Sequence, residues 1–372
     1  MFHVMFSLPC LYVLARFLWP LPWPLAVKLA LALVLIVASQ YHLWSRLSSG
    51  SVFAAEFPRA IVILFNWAFG AILLLALLQV VLDLATLVAW AVGRGNALPG
   101  TALRYAIAAV AMLLSAIGVA GAMRAPPLND IEVAVRDLPP AFEGYRLVQL
   151  TDLHASTLFP HAWIRAVVDR TNALDADLIV ITGDLIDGSV ASRTHDVAPL
   201  TDLRARDGVW VIPGNHEYFF SYEGWMRHYA GLGLRVIENG HTLLSRGGST
   251  IVLAGVTDAS ASRAGRTGPD LARALAGAPV GAPIILLDHQ PRNAAAAAAR
   301  GVALQLSGHT HGGMIRGLDR LVARANNGFV SGRYTVGTMT LYVNNGTALW
   351  PGFALRLGRP PELTRITLRR AP

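Results

Sequence analysis

Residues 178–187 read Leu-Ile-Val-Ile-Thr-Gly-Asp-Leu-Ile-Asp, an apolar run that ends on a glycine and two carboxylates. A short apolar run bounded in this way reads as a strand buried on both faces, and such strands belong to sheets covered by helices. The pattern recurs along the second half of the chain. Tyr145 to Leu150 precedes Asp152 and His154, Val209 to Ile212 precedes Asn215 and His216, Ile284 to Leu287 precedes His289, and Val302 to Leu306 precedes His309 and His311. Open α/β sheets bind ligands just beyond the carboxyl ends of their strands. Five strand ends can therefore deliver acids and imidazoles to one place.

Helical patterns lie between the clusters. His161 to Leu174 places Trp163, Ile164, Val167 and Val168 on one side, and strands alternating with helices predict an α/β sheet with helices on its faces. Upstream, Ile131, Val133 and Val135 alternate as a half-buried strand does before the turn at Pro139 and Pro140. Pro291 to Arg300 carries six consecutive alanines after a proline suited to a first helical turn, which predicts a close-packing helix.

Further outward, residues 1–124 carry apolar stretches over about Val4–Trp19, Leu25–Trp44, Ile61–Leu82 and Leu103–Met123. A bilayer span needs roughly 20 apolar residues, so the expectation is a bundle of about four transmembrane helices, the first of them short and interrupted by Pro9. Asp83, well along the third stretch, reads as a residue at the interface or in a helix contact. Arg16, Lys28, Arg94 and Arg104 flank the loops of one side, and Arg46, Arg59, Arg124 and Arg136 those of the other. That tie assigns no sidedness. Ala125 to Asn129 form the linker, which at about 17 Å when extended holds the following domain near the membrane surface.

Composition agrees with a division into residues 1–124 and 128–372. The chain has 372 residues, 54% hydrophobic, and a formal charge of +8. Residues 1–124 hold seven Lys or Arg against two acids, and the remainder twenty-four against twenty-one. The soluble portion is thus nearly balanced and shows no long basic run of the kind a polyanion-binding arm needs, so no nucleic-acid partner is expected. The single cysteine, Cys10, excludes a disulfide within the chain and a thiolate metal site. No oligomeric state is assigned.

Acids and imidazoles without thiols suit manganese, iron, zinc or magnesium. Asp184 enters directly from an apolar strand, and a carboxylate has two oxygens with which to bridge two cations. Two metals about 3.5 to 4 Å apart lower the pKa of a shared water toward 7 and clamp both oxygens of an in-line displacement. A lone histidine is commonly a surface or core residue, and His3, His42, His161, His195, His228 and His241 read that way. Two imidazoles at i and i+2 beyond a strand, as in Gly308-His309-Thr310-His311, are unusual without a metal.

Asp152-Leu-His154, Gly183-Asp184-Leu-Ile-Asp187, Gly214-Asn215-His216-Glu217, His289 and Gly308-His309-Thr310-His311 resemble, in order, the five blocks of calcineurin-like metallophosphoesterases. The tail from Gly332 to Leu368, with Tyr342-Val-Asn-Asn-Gly346, resembles the bacterial membrane-anchored branch. The resemblance implies a four-layer α/β/β/α domain and two divalent ions, manganese, iron or zinc before magnesium. It implies a first metal on Asp152, His154, Asp184 and His311, and a second on Asp184, Asn215, His289 and His309. His216 would face the phosphoryl group, with Asp187 and Glu217 orienting ligands or backbone behind it. The expected protein is a multi-pass phosphoesterase of the bacterial cytoplasmic membrane that hydrolyses a phosphate ester or pyrophosphate through a metal-bridging hydroxide. A lipid-linked substrate such as UDP-2,3-diacylglucosamine is similar to those of related enzymes. Two departures stand out: Met314 where relatives carry Gln, and Thr257 beside Asp258 where an acid is usual. The alternatives are a non-catalytic membrane scaffold or sensor, which predicts missing ligands where none is missing, and a nuclease, against which the near-neutral charge argues.

Overall fold

Val148, Leu150, Ile179 and Ile181 pack to one side of their strands, and Leu147, Leu178 and Val180 to the other, all fully buried. Successive side chains of a strand point to opposite faces, so a sheet with both faces apolar needs a cover on each. The computed structural model, which describes residues 2–93 and 100–371, supplies both. The first sheet runs in the order β1 (Leu128–Val135), β12 (Leu363–Arg370), β2 (Arg146–Leu150), β3 (Leu178–Ile181), β4 (Val209–Val211) and β5 (Arg235–Val236), with β2 to β5 mutually parallel. The second runs β10 (Gly332–Val336), β11 (Met339–Val343), β9 (Val302–Ser307), β8 (Ile284–Leu287), β7 (Ser249–Gly255) and β6 (Gly240–Arg246), with β11, β9, β8 and β7 parallel.

Three apolar clusters order the layers. Leu147, Leu178 and Val180 meet Ile251, Leu253, Ile285, Leu287 and Leu304 between the sheets. The other face of the first sheet packs on Ile164, Val167 and Val168 of the helix His161–Asn172 and on Trp225 and Tyr229 of the helix Tyr222–Gly231. On the second sheet, Val252, Ala254 and Leu286 pack on Ala294 and Ala297 of the alanine helix, which spans Ala294–Ala299 after a single 3-10 turn at Pro291–Asn293. Each buried Leu, Ile or Val contributes about 1.5 to 3 kcal/mol, so the two-sided strands carry much of the stability.

The chain divides into two compact units, Met1–Ala122 with Pro351–Leu357, and Met123–Trp350 with Gly358–Pro372. In the first unit the expectation of four spans is corrected. Among the described residues, Arg59–Ala91 (33 residues) and Thr101–Met123 (23 residues) are long and apolar enough to cross a bilayer. The second stretch breaks into Leu25–Ser39 and Tyr41–Ser49, bent by 52° at Gln40, whose φ of −85° and ψ of 18° leave the helical region. It counts as a third span only if the bent pair is one. The first stretch gives an apolar helix under 18 residues long that contains Pro9, loosens into a π-helical turn at Val13–Leu18 and stops before Pro20, Pro22 and Pro24. Proline lacks the amide a helix interior requires, so Pro20, Pro22 and Pro24 stop this helix short of the length of a span. Arg94, used above in the orientation tally, lies outside the described residues. Asp83 lies in a helix contact, where it accepts from Tyr12 Oη (2.6 Å), Arg16 Nε (2.9 Å) and Gln79 Nε2 (2.8 Å). The linker is shorter than the sequence suggests, because Leu128 and Asn129 already pair with Leu363 and Thr364 in the sheet.

Candidate metal centre

Each residue of the proposed ligand set leaves the carboxyl end of a strand. Asp152 and His154 follow β2, Asp184 and Asp187 follow β3, Asn215 to Glu217 follow β4, His289 follows β8, and His309 and His311 follow β9. β2, β3 and β4 are parallel neighbours in one sheet and β8 and β9 in the other. Asp152, His154, Asp184, Asp187, Glu217 and His289 are essentially inaccessible, and Asn215, His216 and His311 are buried.

The backbone here is unusual in a way no motif reveals. Asp152 (φ 53°), His154 (42°), Asp184 (55°), His309 (69°) and His311 (50°) all occupy the left-handed region. A non-glycine residue there is uncommon and persists only where its surroundings over-determine it. The hydrogen bonds show how that is done. Asp152 N donates to Gly183 O (2.9 Å), His154 N to Asp184 O (3.0 Å) and His216 N to the Asp184 carboxylate (2.8 Å). Gly183, at φ 97°, packs so closely that an added Cβ would lie 2.6 Å from Gly214 Cα and 2.7 Å from His289 Nδ1. Glu217 accepts from the amides of Gly214 (2.7 Å), Leu185 (2.8 Å) and Asp184 (3.1 Å), and from Tyr229 Oη (3.1 Å).

Three sets of side chains place one ligand atom each within 4.8 Å of one another: Asp152, His154 and His311; His154, Asp184 and His216; and Asp184, His289 and His309. His289 Nε2 is 3.3 Å from Asp184 Oδ2, His311 Nε2 is 3.5 Å from Asp152 Oδ1, and His154 Nε2 is 3.8 Å and 3.9 Å from Asp152 and Asp184. The amide oxygen of Asn215 lies 2.8 Å from His309 Nδ1 and 3.1 Å from His289 Nε2. Other ring nitrogens are occupied from behind. His154 Nδ1 meets Asp187 Oδ2 at 2.9 Å, His216 Nδ1 makes a short contact to the other oxygen of Asp187, and His289 Nδ1 meets Thr182 O at 2.7 Å. Such outer contacts fix the tautomer and aim the opposite nitrogen inward.

The electrostatics match a place for positive charge. Burial alone would raise the Asp152 and Asp184 carboxyls, yet the surrounding imidazoles hold both below the ordinary range. Burial alone would lower His154, yet Asp187, Asp152 and Asp184 push it up to about 10. Against the same effect of burial, Asp184 raises His289 well above its ordinary value. His309 is pressed down to about 4 by burial and by His289. His154 Nε2, fully buried with no hydrogen-bond partner, points an unused lone pair or proton between two carboxylates. Two acids, an amide oxygen and four imidazoles so arranged fit a pair of borderline divalent cations.

Thr347, Ala348 and Tyr229 serve the site without belonging to any motif, whereas Asp258 and Met314 are already marked in the sequence. Thr347 N and Ala348 N hydrogen-bond Thr151 O (2.8 Å) and Asp152 O (3.0 Å), so the strand end carrying Asp152 is braced by the chain after Asn345. Tyr229 supports Glu217 from a helix without any motif. Asp258 is buried and accepts from Gln290 Nε2 at 2.8 Å, beside His289. Burial and Asp258 raise Asp288 to about 7. Met314 is half-buried at φ 59° and follows the His311 turn.

Two facing sheets that bring acids and imidazoles to adjacent strand ends have the architecture of a metallohydrolase. The family model described as "Calcineurin-like phosphoesterase" matches residues 145–313. A Bos taurus protein named "Transmembrane protein with metallophosphoesterase domain" is 37% identical over 303 residues, 77% of this chain and 68% of that protein. An "Uncharacterized metallophosphoesterase" of Helicobacter pylori is 32% identical over 225 residues, 60% of this chain and 59% of its own length. Among solved structures, the calcineurin-like phosphoesterase YfkN of Bacillus subtilis aligns with a TM-score of 0.38 at 14% identity, over 55% of this chain and 81% of that one. The chain belongs to the calcineurin-like phosphoesterases, hydrolases of phosphoric esters, and carries apolar helices that are candidate membrane spans.

Proposed function

We propose that this is a membrane-anchored, two-metal phosphoesterase, with residues 1–124 as a multi-pass anchor and 128–372 as the catalytic domain. Asp152, His154, Asp184 and His311 would hold one cation, and Asp184, Asn215, His289 and His309 the other. The observation that carries this reading is the position of Asp184, shared by two of the three side-chain groups and close to both His154 and His289. Manganese, iron or zinc suits an imidazole-rich set better than magnesium does. Bound there, the pair would supply Lewis-acid charge to the phosphoryl oxygens and acidify a water.

The chain's own groups do the rest. Asp187 holds Nδ1 of His216 from behind, so Nε2 is the nitrogen turned toward Asp184, at 3.9 Å, and would donate to the leaving oxygen as the ester P–O bond breaks. His154 is held by the same Asp187 carboxylate, so one acid aligns a metal ligand and the proton donor together.

The substrate we favour is a phosphate ester or pyrophosphate on a lipid, UDP-2,3-diacylglucosamine being the member to test first. Support comes from the apolar helices and from a wholly apolar cavity of about 290 Å³ in the helical unit, lined by Phe17, Trp23, Leu35, Trp67 and Met112 among others. The relatives named as transmembrane proteins and the apolar helices support a membrane location, and the resemblance of the tail motif supports the bacterial cytoplasmic membrane. Full-length protein in detergent should hydrolyse bis-p-nitrophenyl phosphate with manganese, and Asp184→Ala should lose about a thousandfold in rate, the several kcal/mol ascribed to metal-ion catalysis. Wild-type rate in that variant overturns the shared-ligand assignment. Turnover of the generic ester without turnover of the lipid-linked one removes only the substrate.

A further inference from the structure

At the opposite end of the first sheet, the amino ends of β2, β3, β4 and β5 surround a cavity of about 600 Å³ lined by Arg146, Arg204, Arg206, Arg235 and Arg246. Only two acids, Asp175 and Asp177, line it as well, a net of +3. Residues 125–372 have twenty-four Lys or Arg against twenty-one acids, also +3, so the imbalance of this whole portion matches that of one hollow. The sequence conceals this because the arginines come from four separate segments.

The cavity is built rather than incidental. The buried Asp177 carboxylate receives the Arg146 amide (2.9 Å), Arg206 Nη1 (3.0 Å) and Arg246 Nη1 (3.3 Å), which fixes two guanidiniums along one wall. Arg246 also lies over the Tyr145 ring at 5.8 Å, and Tyr145 Oη donates to Asp207 at 2.6 Å. Arg235 stacks on Trp210 at 5.1 Å, and an added Cβ at Gly208 (φ 92°) would meet its guanidinium carbon at 2.9 Å. The amides of Arg146 and Arg204 donate to Asp177 and Asn172, but among the described residues no hydrogen bond or ion pair joins either guanidinium. Like charges gathered in one concavity repel one another, and an anion relieves that cost.

We infer that this cavity is a second, non-catalytic binding site for a ligand with two or more linked or neighbouring phosphates. Guanidinium groups offer paired donors matched to phosphate oxygens, and the volume suits a ligand of nucleotide size. The inference does not rest on the metal reading, since the site shares no residue with that centre and is tested with metals removed. Phosphates of this kind occur free in solution or on a lipid head group, and the two sources are separable.

The test uses full-length protein in detergent, stripped with EDTA, at about 0.15 M salt so that diffuse attraction is screened. Titration calorimetry with inorganic triphosphate should show saturable binding at one site. The double variant Arg204→Gln, Arg235→Gln should weaken it at least about tenfold, as expected for lost hydrogen bonds to a charged group. Its manganese-dependent hydrolysis of bis-p-nitrophenyl phosphate should be unchanged. Asp175→Asn, which removes a repelling charge at an exposed position, should tighten binding, a gain that misfolding cannot produce. Mixed micelles doped with phosphatidylinositol 4,5-bisphosphate supply the other arm: displacement of triphosphate assigns a lipid head group, and no displacement assigns a soluble ligand. Absence of saturable triphosphate binding by the wild type overturns the site, as does equal affinity in the double variant.

Discussion

Glu217 shows how much of the centre depends on a residue that faces no substrate. Its two oxygens receive three backbone amides from the turns bearing Asp184 and Asn215, together with Tyr229 Oη. Burial and the nearby Asp184 raise its carboxyl while the amides of Leu185 and Gly214 oppose them. In Glu217→Gln, an amide NH2 must face donors on one edge. The expected cost is about 1 to 3 kcal/mol of stability, the desolvation penalty of groups left unpaired, seen as a lower unfolding temperature with weaker manganese binding. An unchanged midpoint and metal affinity would remove its organising role. Tyr229→Phe, which deletes one donor and keeps the ring, should cost less. At this scale the sequence showed residue identity and little else. Gly-Asn-His-Glu marked Glu217 as a group near the site, but the left-handed backbone at Asp152, His154, Asp184, His309 and His311 is invisible in a motif. It arises from hydrogen bonds between turns far apart in the chain.

Strands were the legible elements, because a run such as Leu178–Ile181, buried on both faces, has no other use in a chain of this kind. Turns between them were less so. Gly183→Ala tests one: at φ 97° with Gly214 Cα and His289 Nδ1 within 2.7 Å of the new methyl, the backbone must shift. A loss of about 1 to 3 kcal/mol is expected from the strained conformation, with hydrolysis falling further than stability because the shift moves Asp184. Equal losses in both would assign Gly183 to folding alone. A second turn, after His311, is held by Asp319, which accepts from Gly317 N (2.9 Å) and from Arg359 Nε (3.1 Å). The Arg359 guanidinium holds the Asp319 carboxyl below its usual range. A carboxyl lowered in the folded state contributes stability above its unfolded value of about 4 and loses it as pH falls through the folded one. Asp319→Asn should therefore cost about 1 kcal/mol at pH 7, and the difference from wild type in thermal midpoint should shrink toward pH 3. A difference independent of pH would mean that the pair contributes nothing through its charge.

Nothing in the sequence set Pro351–Leu357 apart from the catalytic domain that encloses it, because its membership in the helical unit depends on partners nearly 300 positions away. Tyr41 Oη (2.9 Å) and Asn66 Nδ2 (2.9 Å) both donate to Pro351 O, Ala354 N donates to Asn66 Oδ1 (2.7 Å), and Arg356 N donates to Gly118 O (3.0 Å). Phe353 meets Phe69 edge-on at 5.9 Å, and Leu355 fills the space that a side chain at Gly118 would need. A few residues earlier, Thr347 and Ala348 brace the turn of Asp152, so the same stretch of chain serves the metal centre and then the helices. Cutting the chain after Ala122 therefore leaves Phe353 and Leu355 without the helices that bury them. Isolated 123–372 should aggregate or be nicked by trypsin at Arg356, and replacing 351–357 with a Gly-Ser linker in that fragment should restore a monodisperse protein with manganese-dependent activity on bis-p-nitrophenyl phosphate. In the full-length chain, Asn66→Ala should speed cleavage at Arg356, since the buried Ala354 amide loses its partner at about 1 to 3 kcal/mol while Pro351 O keeps only Tyr41 Oη. A fragment that is soluble and protease-resistant with its own 351–357 would show that this segment folds with the catalytic unit, and the helices would then be a simple tether.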